Sequence, residues 1–150
     1  MRTAIVDRPL DACALLAEVA EYKNGASVLF VGTVRDVNDG SPVSGLDYTA
    51  YSSMAEKELA SIASEAASRW TTGDIVVEHR IGTLDLGEAS VVIAVGHPHR
   101  AEAYEASRYI IEELKKRLPV WKREHYVDGR SEWVQSAEMG NRKSEMGGTR

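Results

Sequence analysis

Residues 101–134 read AEAYEASRYIIEELKKRLPVWKREHYVDGRSEWV, and this stretch decides the fold class. Ser107, Ile110, Ile111, Leu114 and Leu118 fall on one apolar stripe at helical spacing, which predicts a helix over 101–118. The helix must stop before Pro119, because a proline pushes the preceding residue out of helical geometry. Residues 120–127 and 131–134 then read as two strands turning at Asp128-Gly129. Working back from there, residues 89–97 form an apolar strand after a turn at Leu86-Gly87. Residues 75–81 alternate like a half-buried strand.

A second helix precedes them. Ser53 and Glu56 have capping-box spacing, and Leu59, Ile62, Ala63, Ala66 and Trp70 hold one face until the break at 71–74, with Gly73 at the turn. Residues 43–51 read as a strand, residues 36–42 (DVNDGSP) as a loop, and the apolar run 26–34 (ASVLFVGTV) as a buried strand. A first helix starts at Pro9, places Leu10, Cys13, Leu16, Ala17 and Ala20 at helical spacing, and closes at Gly25. The order is α-β-β-α-β-β-α-β-β. Strands joined by short turns, with three main helices interspersed, argue for an α+β sandwich of mostly antiparallel strands rather than a doubly wound parallel sheet. Residues 1–135 are expected to form a single domain, followed by a polar, mobile C-terminal tail over 136–150.

Composition narrows the function. The chain has 150 residues and a formal net charge of -5, so an overall basic nucleic-acid footprint is absent. No apolar run suggests a membrane span, and the first ten residues lack a secretory h-region; the cytoplasm follows by default. The single cysteine, Cys13, excludes an internal disulfide and a CxxC pair. It falls among Leu10, Leu16 and Ala17, which reads as a packed thiol rather than a reactive one. His79, His97, His99 and His125 lack cysteine partners, so no metal set is expected, and neither a P-loop nor a G-x-G-x-x-G is present.

Three cationic clusters sit at the ends of elements. Thr33-Val34-Arg35 closes an apolar strand, His97-Pro98-His99-Arg100 leads into a helix start that favours anions, and 115–124 runs from a helix end into a strand. Taken singly, each cation is a solvated residue or a complement to a helix dipole. Helix geometry separates the lysines. Lys116 points almost directly away from the apolar stripe, whereas Lys115 lies about 80° from its centre, where the stem can pack and the amine can enter a cleft. Lys122 follows Trp121 on the next strand. Two lysines converging on one pocket depress each other's proton affinity and suit acid, base or nucleophilic work. A non-catalytic anion- or nucleotide-binding module and a subunit that merely docks another protein's tail remain open on these residues; a pocket holding both amines with Arg35 or Arg100 separates them from an enzyme.

The segments Phe30-Val31-Gly32-Thr33-Val34-Arg35, His99-Arg100, and Leu114-Lys115 through Pro119-Val120-Trp121-Lys122-Arg123-Glu124 resemble the large, catalytic subunit of molybdopterin synthase. Tyr51 with Met54, His79-Arg80-Ile81-Gly82 and the Gly87-Glu88 turn extend the likeness over about residues 5–135. The resemblance implies an α/β hammerhead fold and a sulfurtransferase that converts cyclic pyranopterin monophosphate into molybdopterin. It implies a donor partner, a small ubiquitin-like subunit whose C-terminal Gly-Gly carries a thiocarboxylate, and a homodimer of catalytic subunits within a heterotetramer. No cofactor or metal is implied for the transfer. Carried over by position, Thr33, Val34, Arg35, His99, Arg100, Lys115, Lys122, Arg123 and Glu124 bind substrate, and Lys115 and Lys122 are catalytic. A thiocarboxylate donor accounts for a sulfurtransferase without a usable cysteine. Gly147-Gly148 is not itself such a donor tail, since Thr149 and Arg150 follow it, and no arginine stands just after Trp133-Val134 to reach a neighbouring site.

Overall fold

The computed structural model describes residues 1–135; the tail expected over 136–150 lies outside the described residues. Two sheets and three helices make up the described part, confirming the α+β class and its mostly antiparallel pairing. The four-stranded sheet has the order β1 (Arg2–Val6), β5 (Ile75–Arg80), β7 (Ala89–His97), β2 (Ala26–Thr33). β1 runs parallel to β5, and the other two pairings are antiparallel. The five-stranded sheet is built on β4 (Ser41–Ala50), which pairs with β3 (Val37–Asn38), β6 (Gly82–Asp85) and β8 (Val120–Tyr126), with β9 (Ser131–Gln135) beyond β8.

The helices cover the first sheet on both faces. α2 (Ser52–Trp70) and α3 (Arg100–Arg117) enclose the main core with Ile75, Val77, Val91, Ile93 and Val95. On the other face Leu15 and Val19, from α1 (Ala12–Glu18) and its C-cap, pack on Val76, Val92 and Ala94. Burying Ile75, Val76 and Val77 on β5 and Val91, Val92, Ile93, Ala94 and Val95 on β7 beneath helices is the dominant stabilising term. The α3 stripe is buried as expected at Ser107, Ile110, Leu114 and Leu118, and Leu118 caps the helix just before Pro119. The β8–β9 hairpin turns at Gly129, which takes the left-handed φ of +90° that a glycine there permits.

Several expectations need correction. Residues 75–81 are not half-buried: β5 is an inner strand with helices on both faces, and Ile75 through His79 are all buried. The 26–34 run is an edge strand, so β2 alternates between inside and outside and leaves Leu29 and Val31 partly exposed. β1 escapes pattern reading because five residues are too short to show a period. α2 begins two residues earlier than the capping box requires, with Tyr51 rather than Ser53 at the N-cap and no side-chain cap. α1 starts after Asp11, whose carboxylate accepts from the Ala14 N–H at 3.0 Å, so Pro9 precedes the helix and Gly25 lies well beyond its end. That shift also turns the helix face. Ala12, Leu15, Leu16 and Val19 face the sheet, while Cys13 is exposed rather than packed. Finally, 36–42 is not a plain loop but the β3–β4 hairpin, turning through Asp39 (φ +48°) and Gly40 (φ +80°).

Candidate active site

A pocket of about 230 Å³ opens where the two sheets meet at the C-terminal end of α3. Its walls come from four places. The end of β2 supplies Gly32, Thr33, Val34 and Arg35; β4 supplies Val43, Leu46 and Tyr48; β8 supplies Lys122 and Glu124; and α3 supplies Lys115. Val37, Asn38 and Ser90 complete it.

Local structure explains each placement. A register shift between Gly32 and Thr33 bends the end of β2. Val34 is then pinned by its N–H to the Glu88 carbonyl (3.0 Å) and by its carbonyl to the Gly87 N–H (2.9 Å). Arg35 follows at the rim. Alternation along β8 puts Lys122 and Glu124 on the inner face and Arg123 on the outer one. Lys122 Nζ lies 2.9 Å from Glu124 Oε1, and Glu124 is 7% exposed. Lys115 is an exposed residue by area, yet it lines the pocket. Partial desolvation, with the facing charges of Lys122 and Arg35, lowers its pKa below the ordinary lysine value. Burial pushes the Glu124 carboxyl up, but hydrogen bonds from Lys122, Tyr126 and Asn38 and the charge of Lys122 outweigh it and leave the carboxyl below its usual range.

Of the nine residues expected from the sequence, six meet at this pocket: Thr33, Val34, Arg35, Lys115, Lys122 and Glu124. Arg123 turns away, donating to Ser131 Oγ at 2.8 and 3.0 Å and standing over the Trp133 ring. His99 and Arg100 are exposed at the opposite end of α3. Arg100 and Lys115 stand 15 positions apart on the helix, about 22 Å along its axis. The corner before them is rigid: His97 Nδ1 accepts the His99 N–H at 2.9 Å, so Nε2 carries the proton donated to the Trp70 carbonyl, also 2.9 Å away.

Sequence reasoning missed Asn38, Tyr48 and Ser90. Tyr48 is 9% exposed and stacks edge-on against His79, with ring centroids 5.1 Å apart. Desolvation raises its pKa, against a hydrogen bond with Ser90. Its inward direction was readable from the period-two pattern Leu46–Tyr48; Asn38 offered no signal beyond the Asp39-Gly40 turn beside it.

Known proteins share this fold. Residues 5–117 match the family model described as MoaE protein. The chain is 45% identical over 133 residues to the molybdopterin synthase catalytic subunit of Halalkalibacterium halodurans, covering 89% of this chain and 85% of that one. The crystal structure of molybdopterin synthase from Staphylococcus aureus superposes with a TM-score of 0.82 at 39% identity, over 87% of this chain and 95% of that one. A chain from the Helicobacter pylori protein–protein complex of subunits 1 and 2 of molybdopterin-converting factor shares the fold, with a TM-score of 0.70 at 23% identity over 91% and 90% of the two chains. With a family model spanning most of the described residues and relatives matched almost end to end, the chain belongs to the MoaE protein family, the molybdopterin synthase catalytic subunits.

Proposed function

We propose that the pocket between the two sheets is where this chain transfers sulfur to cyclic pyranopterin monophosphate, building the dithiolene of molybdopterin. The observation that carries this reading is the convergence of Lys115 and Lys122 with Arg35 on one pocket, in a chain of this family. A docking or anion-binding module would need the cations but not an amine pushed toward neutrality. The donor is the thiocarboxylated C-terminus of a small ubiquitin-like subunit, a partner in keeping with the two-subunit complex known for the Helicobacter pylori relative. The setting is the cytoplasm; among the described residues no helix is long and apolar enough to cross a membrane.

Each residue has a part. Lys122, paired with Glu124, and Arg35 present fixed positive charge to the phosphate and to the oxyanion that develops when the thioacyl carbon is attacked. Lys115, with its lowered pKa, exchanges protons with the reacting groups. Thr33 and Val34 shape the wall. His99 and Arg100 cannot reach Lys115 within one chain, so their role in substrate binding requires the homodimer, with the α3 N-terminus of a second copy at this pocket. The test is direct: the chain, the pterin precursor and the thiocarboxylated small subunit are incubated together and dithiolene product is measured. Product is expected; its absence with all three components folded and associated would defeat the reading. Arg100→Ala should weaken the precursor by about 1.5–3 kcal/mol while leaving small-subunit docking unchanged.

A further inference from the structure

The pocket holds a second layer of polar groups that the sulfur-transfer chemistry leaves unexplained. Glu124 uses one carboxylate oxygen for Lys122, and the other is not free. Oε2 accepts from Asn38 Nδ2 at 2.5 Å and from the Tyr126 hydroxyl at 2.8 Å, and Asn38 Nδ2 also lies 3.3 Å from that hydroxyl. Asn38 is 7% exposed, so its amide is committed to this contact rather than to water. It arrives there on a short hairpin. Asn38 pairs with Ser41, and the two residues between them, Asp39 and Gly40, both have positive φ, the two-residue turn that matches strand twist and fixes register. A hairpin otherwise exposed at its tip thus buries one amide against the carboxylate that touches Lys122.

We propose that Asn38, with Tyr126, is a positioning residue of this site: it fixes the Glu124 carboxylate, which in turn aims the Lys122 ammonium into the pocket opposite Lys115. The proposal rests on the sulfur-transfer reading for its activity consequence but not for its geometry. A carboxylate held by three donors has one orientation, and a lysine tethered to it loses the rotamer freedom that would let it swing to solvent. Without Asn38 and Tyr126, Oε2 would be buried with no protein donor, and the carboxyl would rotate, take a proton, or draw water into the pocket. The charged and titratable groups around Glu124 are few. Lys122 and Tyr126 lie on β8, Lys115 comes from α3, Arg35 follows β2, Tyr48 comes from β4, and Glu132 pairs across from β9. Asn38 is the neutral member that β3 adds.

The variants are Asn38→Ala and the milder Tyr126→Phe, each measured in two ways. The first is the titration of the Glu124 carboxyl by ¹³C NMR of the substrate-free protein, assigned by difference against Glu124→Gln. Removing either donor should raise its midpoint, since each hydrogen bond favours the ionised carboxyl. The second is turnover with precursor and thiocarboxylated small subunit. Asn38→Ala should lower kcat about tenfold, with KM little changed. Its acid limb should move up with the Glu124 midpoint. In a Glu124→Gln background the same substitution should cost nothing further, since its effect passes through that carboxylate. An unmoved Glu124 midpoint in both variants, or a full additional loss in the Glu124→Gln background, would overturn the proposal. Should the wild-type chain make no product, the functional reading falls, and the carboxyl titration still decides whether Asn38 and Tyr126 hold Glu124.

Discussion

In the four-stranded sheet, β5 and β7 bury Ile75, Val77, Val91, Ile93 and Val95 against α2 and α3, and the buried Glu78 is neutralised by Arg2 at 2.8 Å and Arg8 at 3.2 Å. In the five-stranded sheet, β4 and β8 turn Tyr48, Lys122 and Glu124 toward the interior, where Lys115 and Arg35 face them. The first arrangement spends burial on cohesion. The second places like charges together with a single carboxylate among them, a costly combination unless a ligand's negative charge completes it. Cohesion is concentrated in the inner strands of the first sheet, and the charged groups of the pocket gather around the second, where the end of β2 meets it. Substitutions in the two regions should report that difference separately.

The sharpest test of the division is at the lysines. Lys115→Ala or Lys122→Ala should reduce turnover by about 10²–10⁴, the range for loss of acid–base or electrostatic help, while the unfolding midpoint and small-subunit association stay near wild type. Lys116→Ala, on the exposed side of α3, should leave turnover intact. Lys115→Arg should not rescue, because a guanidinium does not give up its proton near neutral pH. A fully active Lys115→Arg would reduce the role of Lys115 to charge alone. The converse substitution lies in the first sheet. Ile93→Ala should cost about 2–5 kcal/mol in urea unfolding through the cavity it leaves, with turnover per folded molecule unchanged. A selective loss of turnover there would mean the two sheets are mechanically coupled.

A third substitution falls on the boundary. His79 ends the buried run of β5, stacks against Tyr48, and lies close enough to Lys115 to feel its charge. Burial holds its pKa down at about 4 instead of 6.5, only partly offset by the hydrogen bond to the Arg80 carbonyl, with the Lys115 charge lowering it further. The unfolded chain binds this proton first. The stabilising contribution is therefore complete above pH 6.5 and is lost as pH falls toward 4. A shift of that size corresponds to about 3 kcal/mol. Unfolding curves across this window should show the loss in wild type and a flatter dependence in His79→Gln. Identical slopes would mean that His79 titrates normally.

How much of this division the sequence discloses depends on which forces set each residue. The stripe of α3, the stop at Pro119 and the turn at Gly129 depend on neighbours in the chain, and all three are legible. Whether a strand is inner or edge depends on partners far along the chain, so β2 and β5 are misread in opposite directions. Within the site, Lys115 is legible from its angle to the stripe and Lys122 from its place after Pro119. Asn38 is not, because it is held by Glu124, 86 residues away. His99 and Arg100 are legible as an anion-favouring helix start, yet a single chain keeps them far from the lysines.

The smallest expected effect belongs to Cys13, and it bears on where the sulfur comes from. Cys13 lies on the solvent side of α1, whose opposite face packs on Val76, Val92 and Ala94 of the four-stranded sheet. A packed thiol would lose about 1 kcal/mol on conversion to serine; an exposed one should lose less than about 0.5 kcal/mol. Exposure also removes the argument that the thiol is inert because it is buried. Its place outside the pocket is what remains, since the walls come from β2, β3, β4, β7, β8 and α3, and α1 supplies none of them. Cys13→Ser should therefore unfold at the wild-type midpoint and turn over at the wild-type rate when thiocarboxylated small subunit is the sulfur source. Loss of turnover with stability intact would place a sulfur-carrying step on α1 and break the separation between the two sheets. Retained turnover would leave the partner's thiocarboxylate as the donor and the pocket between the two sheets as the place where it reacts.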